Sequence, residues 1–557
     1  MAYRNYYNKP KGPVVKAERF TPPGGWNPEF ARVYDFVVNG TGHGAIEAVA
    51  GGGKTTAVVE SIIRYVEANP GHRVLFVAFN VSVKDEGQKR LAGYPCDVLT
   101  CHGLGFRSMR KPVAWGGQSG RAQFDVQDGY GPYMQSLAEA EIGPEKEKKG
   151  DRDALMDLIS KAKTCLVDTV PGMVELIERF TIESGYTKAE LAERALRVME
   201  FTRKQPGTCV APKRRGRGNQ RPPQSKAAVT FDDEVWAPVV NNWPVDQYDA
   251  VFVDEAQDLS PARRALISKA LKPGARLFVV GDRYQAIYGF AGADIDSLPT
   301  MIDEFGCKLL PLSCSWRCAK SIVAEAQQFN PSITHAASAE DGTVDDCDAK
   351  ELLGRLEYGD VLLSRTNAPL IRVFFQLARQ QIRVKFIGRD YGRMLAYRIK
   401  GWMWSHEAKV AKGNASGEFT GETMLAYNDE WLQAQSENRD SGSANDRHRD
   451  EHATVIALCA ELNSRLDTTA SVKEILDRCF AFSPEEKKNA KGADDYITLS
   501  STHRFKGLER DHAYVLVDTY KPGEDQEETN LLYVAVTRAK QHLTYVKGKP
   551  EPSSSES

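Results

Sequence analysis

Short apolar runs alternate along the chain with stretches of helical spacing. Ala45–Ala50 is mostly apolar and breaks into Gly51-Gly52-Gly53-Lys54-Thr55-Thr56, after which Ala57–Val66 has the period of a helix. Val74–Phe79 is a second such run, and Ala250–Val253 and Leu277–Val280 return much later, each ending in acidic residues. Runs apolar on both faces suit buried strands of a parallel sheet, and acids after them fall on the edge where such sheets carry their chemistry. Residues 105–240 interrupt that sheet and read as a mainly helical insertion, with one helix near Glu145–Lys163. A second strand-rich region runs through Lys308–Leu312, Val361–Ser364, Val384–Ile387, Tyr496–Ser500 and Ala513–Val517, broken by a helical stretch over 389–490. The pattern predicts an α/β chain of two lobes, each carrying one insertion. The first lobe spans 26–104 and 241–305, and the second spans 306–388 and 491–547. Residues 1–25 read as a flexible arm and 548–557 as a disordered tail.

Length agrees with several domains, since 557 residues exceed what one core of roughly 150 residues accommodates. Neither an apolar run long enough for a membrane helix nor an apolar signal core at the polar start is visible, so a cytoplasmic protein is expected. The formal net charge of -2 gives no global reason to expect a nucleic acid. Locally the picture changes. Arg203 to Lys226 holds eight basic residues and no acidic one, a cationic loop suited to phosphate contact. Asn428–His452 is highly polar and reads as a flexible connection. The ten cysteines include no C-x-x-C pair and the ten histidines no H-E-x-x-H, so no structural metal is expected.

The chemistry begins at Ala50, Gly51, Gly52, Gly53, Lys54, Thr55 and Thr56. A glycine-rich turn between strand and helix lets backbone N–H groups close around a triphosphate, with Lys54 neutralising the outer phosphates and the Thr55 hydroxyl available to Mg²⁺. The run VFVDEAQD, Val251–Asp258, supplies the carboxylates such a loop needs. Asp254 at a strand end would hold the metal, and Glu255 would orient and deprotonate water.

Four segments then follow in a recognisable order: VDEAQD at 253–258, GDRYQAIYGF at 281–290, STHRFKGLE at 501–509 and EETNLLYVAVTRAK at 527–540. Phe79-Asn80, Thr100-Cys101-His102-Gly103, Phe231-Asp232-Asp233 and Arg365-Thr366-Asn367 add to them. Over residues 27–545 the chain resembles the UvrD/Rep group of superfamily 1A DNA helicases. The resemblance implies two RecA-like parallel-sheet lobes with a phosphate loop, ATP and Mg²⁺ in the cleft between them, and stepping along single-stranded DNA.

It also implies residue roles. Gln285 would sense the γ phosphate, Arg317 and Arg538 would be arginine fingers, Trp316 would stack on the base in the place of a tyrosine, and Glu509 would face the ribose. Gln257 would couple the lobes. Phe79, His102, Tyr288 and Phe290 resemble positions that contact single-stranded DNA. The chain departs from the pattern in further places. Asn27-Pro28-Glu29-Phe30 lacks the glutamine that reads adenine, Ala291 stands where an arginine is common, and Thr529-Asn530 replaces a pair of arginines. The expected activity is an ATP-dependent helicase on single-stranded and duplex DNA, 3′ to 5′ by the family rule and active as a monomer, serving replication, repair or recombination with partners the sequence does not identify. A translocase that displaces proteins without separating strands is the alternative, motivated by the short second insertion.

Overall fold

The computed structural model describes residues 27–111, 124–145, 148–204, 207–209, 226–380, 382–387, 391–411, 423–424, 426–430 and 496–548. The arm over 1–25, the tail from 549 and most of both polar connections lie outside the described residues.

Two six-stranded sheets dominate. The first has the order Cys96–Thr100, Val74–Ala78, Tyr248–Val253, Leu271–Gly281, Gly44–Ala48, Lys308–Leu312, with every pairing parallel. Its strands read as continuous apolar runs because both faces are covered. Ile46, Phe76, Phe252 and Phe278 pack under the helices Pro28–Asn39 and Lys54–Ala68, whereas Leu75, Val77, Val251 and Val279 face Cys101–Met109, Pro261–Lys269 and Ser297–Phe305. The second sheet, again all parallel, has the order Thr343–Asp348, Ala539–Lys547, Arg510–Leu516, Val361–Ser364, Ile497–Ser501, Val384–Ile387. One of its cores crosses the cleft, joining Leu363, Val515 and Tyr533 with Val49, Ala50 and Ile287 of the first lobe.

Lys308–Leu312 corrects the expected boundary. It belongs to the first sheet, with Ile46 opposite Leu310 and Ala48 opposite Leu312, so the second lobe begins after Leu312 rather than at 306. It is an edge strand: Leu310 and Leu312 are buried while Lys308, Leu309 and Pro311 are exposed, and an edge is where a strand tolerates proline. Alternation along a strand says which side is buried but not which sheet receives it.

The first insertion has its own core around Leu155, Leu158, Met173, Leu191 and Trp236. Its helix near the expected Glu145–Lys163 begins later, at Lys149, and ends at Cys165. A three-stranded sheet was not anticipated. In it Lys226–Thr230 pairs with Phe124–Gln127 and with Gly207–Cys209, so both ends of the expected basic loop are regular structure. In the second insertion the helix Tyr391–Ala411 is described, and a helical segment over 426–430 takes in the first three residues of the expected flexible connection, 428–430. The strands Thr343–Asp348 and Ala539–Lys547 were missed because polar residues interrupt their apolar pattern.

Where insertion and first lobe meet, Lys163 Nζ lies 2.7 Å from Asp233 Oδ1, with side chains 1% and 3% exposed. Asp233 also caps its helix, accepting the N–H and hydroxyl of Thr230, and Lys163 lies 5.1 Å from the Trp236 ring centroid. Removing one partner of such a pair leaves an uncompensated buried charge. Lys163→Ala is expected to lower stability by about 3–5 kcal/mol, read as a reduced urea midpoint.

Candidate functional site

The loop after the strand Gly44–Ala48 has the backbone its glycines allow. Gly51 and Gly53 sit at φ 72° and 81°, in the left-handed region where a Cβ is strained. Gly53 precedes the helix Lys54–Ala68 and provides no side-chain cap, so the first-turn N–H groups face the loop with the positive end of the helix dipole behind them. Phe30, at the position that lacks a glutamine, is buried with its ring tip against Gly53. Ala50 and Gly51 to Thr56 thus form one continuous cradle, with Lys54, Thr55 and Thr56 half-buried on the helix that follows.

Carboxylates converge on this cradle from two neighbouring strand ends. Asp254, 3% exposed, ends Tyr248–Val253, and one of its oxygens accepts the Glu255 N–H at 3.0 Å. Burial beside Glu255 pushes its acid above the carboxylate range. Glu255 has φ 49°, a left-handed backbone that costs a non-glycine residue about 1–3 kcal/mol. Its Oε2 accepts Lys54 Nζ at 2.9 Å and Gln257 Nε2 at 2.5 Å. Burial opposes its charge, but Lys54 and Lys506 outweigh burial and hold it below its ordinary value. Burial would likewise lower Lys54, and Glu255, Asp282 and Asp254 together hold it above its ordinary value. Asp258 and Asp282 are both pushed up to about 6, chiefly by burial. Among the described residues no group of three acidic, histidine or cysteine side chains is arranged to hold a metal by itself, so a divalent cation here would need phosphate oxygens beside the hard donors that Asp254 and the Thr55 hydroxyl offer.

Residues of the second lobe close the cleft. The Trp316 N–H donates to Gly51 O at 2.9 Å, while its side chain is 53% exposed, leaving an aromatic face open beside the loop. Arg317 is paired with Glu509 at 2.5 Å. Arg538 is buried, its guanidinium held by Val534 O, Leu508 O and the Thr537 hydroxyl, all within its own lobe. Burial, with Arg317 nearby, pushes it down to about 9. Gln285 donates to Asp282 Oδ2 at 2.8 Å.

The expectation for Gln257 needs correction. Its partners are Glu255, Asp258 and the Asp282 N–H, all in the first lobe. The bridge is one residue away in space and far away in sequence: Lys506 Nζ donates to Asp258 Oδ2 at 2.5 Å and to Gln285 O at 2.6 Å. The Tyr533 hydroxyl also spans the cleft, accepting the Ala50 N–H at 3.2 Å. Lys506 and Tyr533 lie within STHRFKGLE and EETNLLYVAVTRAK, but no local pattern in the sequence marks either as a bridge.

Behind Lys506 stand the aromatic residues. Its ammonium lies 4.9 Å from the Tyr288 ring centroid, and Tyr288 stacks on Phe79 at 5.8 Å. Phe290, 51% exposed, meets His503 edge-on at 5.4 Å. Burial, with Arg365, Lys506 and Arg504 around it, pushes His503 down to about 3, so its ring is neutral near pH 7. His102 lies 3.2 Å from Glu234 and 3.4 Å from Arg263. Phe79, His102, Tyr288, Phe231 and Arg263 line a cavity of about 330 Å³ between first lobe and insertion. Stacking surfaces and a neighbouring cation are the chemistry that receives unpaired bases. Of the eight cations expected to form a basic track, Arg203 and Lys204 end a helix and have Glu200 within ion-pair distance, Lys226 begins a strand, and the other five lie outside the described residues.

Fold and site define a two-lobed α/β chain with RecA-like parallel sheets and a phosphate-loop cleft between them. The family of the UvrD/REP helicase N-terminal domain matches residues 33–306, and that of the UvrD-like helicase C-terminal domain matches 496–546. The F-box DNA helicase protein 1 of Schizosaccharomyces pombe is 24% identical over 89% of this chain and 55% of its own length. The F-box DNA helicase 1 of Gallus gallus is 27% identical over 53% of this chain and 29% of its own. The ATP-dependent DNA helicase PcrA of Staphylococcus epidermidis is 28% identical over 20% of this chain and 17% of its own. The chain therefore spans about half the length, or less, of the curated relatives it matches. It belongs to the UvrD/Rep helicase family.

Gly51 sets how closely the lobes approach. A Cβ there would lie 2.6 Å from Arg317 Cβ and 2.7 Å from Ser315 Oγ, on a backbone already at φ 72°. Gly51→Ala is expected to lower stability by about 1–3 kcal/mol, read as a lower thermal midpoint.

Proposed function

We propose that this chain is an ATP-driven DNA helicase that steps along single-stranded DNA, 3′ to 5′, and separates duplex ahead of it. The observation that carries the reading is the continuity from the phosphate cradle to the aromatic residues. Lys506 touches Asp258 and Gln285 on the nucleotide side and the face of Tyr288 on the other. In this reading ATP lies in the cradle of Ala50 to Thr56, with Lys54 on its outer phosphates and Trp316 against its base. Thr55 and Asp254 would hold Mg²⁺, which, when bound, stabilises charge on the transferring phosphoryl group. Glu255 accepts a proton from the attacking water, for which Lys54 must turn from Glu255 to the phosphates. Gln285 reports the γ phosphate, and Arg317 and Arg538 swing in as the cleft tightens. Each closure moves Phe290 of one lobe relative to His503 of the other, and that relative motion advances the strand. DNA is the substrate suggested by the relatives' names, and a monomer is sufficient for this scheme.

Lys54→Ala is expected to reduce DNA-stimulated ATP hydrolysis by at least about 100-fold, and normal hydrolysis by that variant would refute the site. On 3′-tailed, 5′-tailed and blunt duplexes, strand displacement should require the 3′ tail. Preference for a 5′ tail would overturn the polarity, and stepping without displacement would favour the translocase alternative. Phe290→Ala should weaken single-stranded DNA binding about 5- to 150-fold, the equivalent of one lost stacking contact, measured by fluorescence anisotropy at fixed salt.

A further inference from the structure

The helix Gln526–Val536 presents a row of three side chains to the first lobe. Glu527, at its start, accepts the backbone N–H groups of Phe290 and Gly289, so closely that a Cβ on Gly289 would lie 2.4 Å from Glu527 Oε2. Asn530, 2% exposed, donates its amide to Ala286 O at 3.0 Å and Arg283 O at 3.3 Å, while its own oxygen accepts Gln526 Nε2 at 2.9 Å. Tyr533 accepts the Ala50 N–H at 3.2 Å, and its hydroxyl lies 3.5 Å from Asp282 Oδ2. Spacings of three residues place all of them on one helical face. From Glu527 to Tyr533 the helix rises about 9 Å, and Arg538 follows just beyond its end.

One rigid element thus grips the segment 281–290 at its two ends and its middle, and the phosphate loop as well. Four of the contacts go to main-chain groups of that segment, which cannot turn away as a side chain can. A shift of the turn that carries Phe290 is therefore passed along the helix to Ala50, Asp282 and Arg538 instead of being absorbed locally.

We propose that Asn530 is the positioning residue that keeps this helix in register with segment 281–290, and that through it the strand-contacting turn and the phosphate loop are coupled. The inference rests on the motor reading above. It concerns a position where this chain has an asparagine and the resemblance leads one to expect an arginine. Thr529, next to it, turns outward, its hydroxyl bonded to Asp525 O and the Gly523 N–H.

The test uses the full chain and steady-state ATP hydrolysis with an oligothymidylate as the DNA probe. Asn530→Ala and Asn530→Asp remove both amide donors, and Thr529→Ala is the control. For the Asn530 variants, kcat at saturating DNA should fall about tenfold while KM for ATP stays near that of the parent, with hydrolysis read well below the thermal midpoints, which the carbonyls left without a donor lower. The Thr529 variant should retain the parent's kcat. Unchanged kcat in the Asn530 variants, an equal loss in the Thr529 variant, or a loss accompanied by a matching rise in KM would each overturn the coupling role. A parent chain that DNA does not stimulate would overturn the motor reading and the coupling with it. A stimulated parent with equally stimulated variants would overturn the coupling alone.

Discussion

A buried ammonium must find an anion, and Lys506 finds its anion in the other lobe. Its side chain is 7% exposed and that of Asp258 fully buried, so separating them would leave two desolvated charges. The pair therefore sets where the second sheet stands relative to the first. Because Lys506 also bonds Gln285 O and covers the Tyr288 ring, the same constraint ties the strand-end carboxylates to the aromatic residues.

Around that pair the cleft concentrates charge. Asp254, Asp258 and Asp282 are driven upward by burial, Glu255 is held ionised by Lys54 and Lys506, and Arg538 is buried with oxygen acceptors from its own lobe only. Groups arranged this way exchange partners readily when a polyanion and a divalent cation enter, because each gains an interaction that burial has made strong. The strained backbone of Glu255 belongs to the same economy of placement, since it lets adjacent carboxylates point to different tasks.

Much of this was legible in the residues. Glycines before Lys54, acids after apolar runs and aromatic residues in a glycine-rich turn each name a chemistry, and their order named the family. The nucleotide side was legible because a loop between a strand and its own helix is local in sequence. What escaped were contacts between distant segments. Lys506 and Tyr533 carry no local mark of the bridges they make, and Asp258 rather than its neighbour Gln257 meets the second lobe. The strand Lys308–Leu312 was seen but placed in the wrong sheet, since half-buried alternation at an edge looks alike in either lobe.

By itself the sequence determined the kind of machine: parallel strands buried on both faces, a phosphate loop and an ordered set of carboxylates and arginines. Those follow from backbone conformation and hydrophobic period, which act over a few residues. The tertiary structure alone decided which cation meets which anion, which strand closes which sheet, and which helix lies along segment 281–290. Such choices depend on burial, which raises the cost of every unpaired charge and becomes defined only when distant segments pack together.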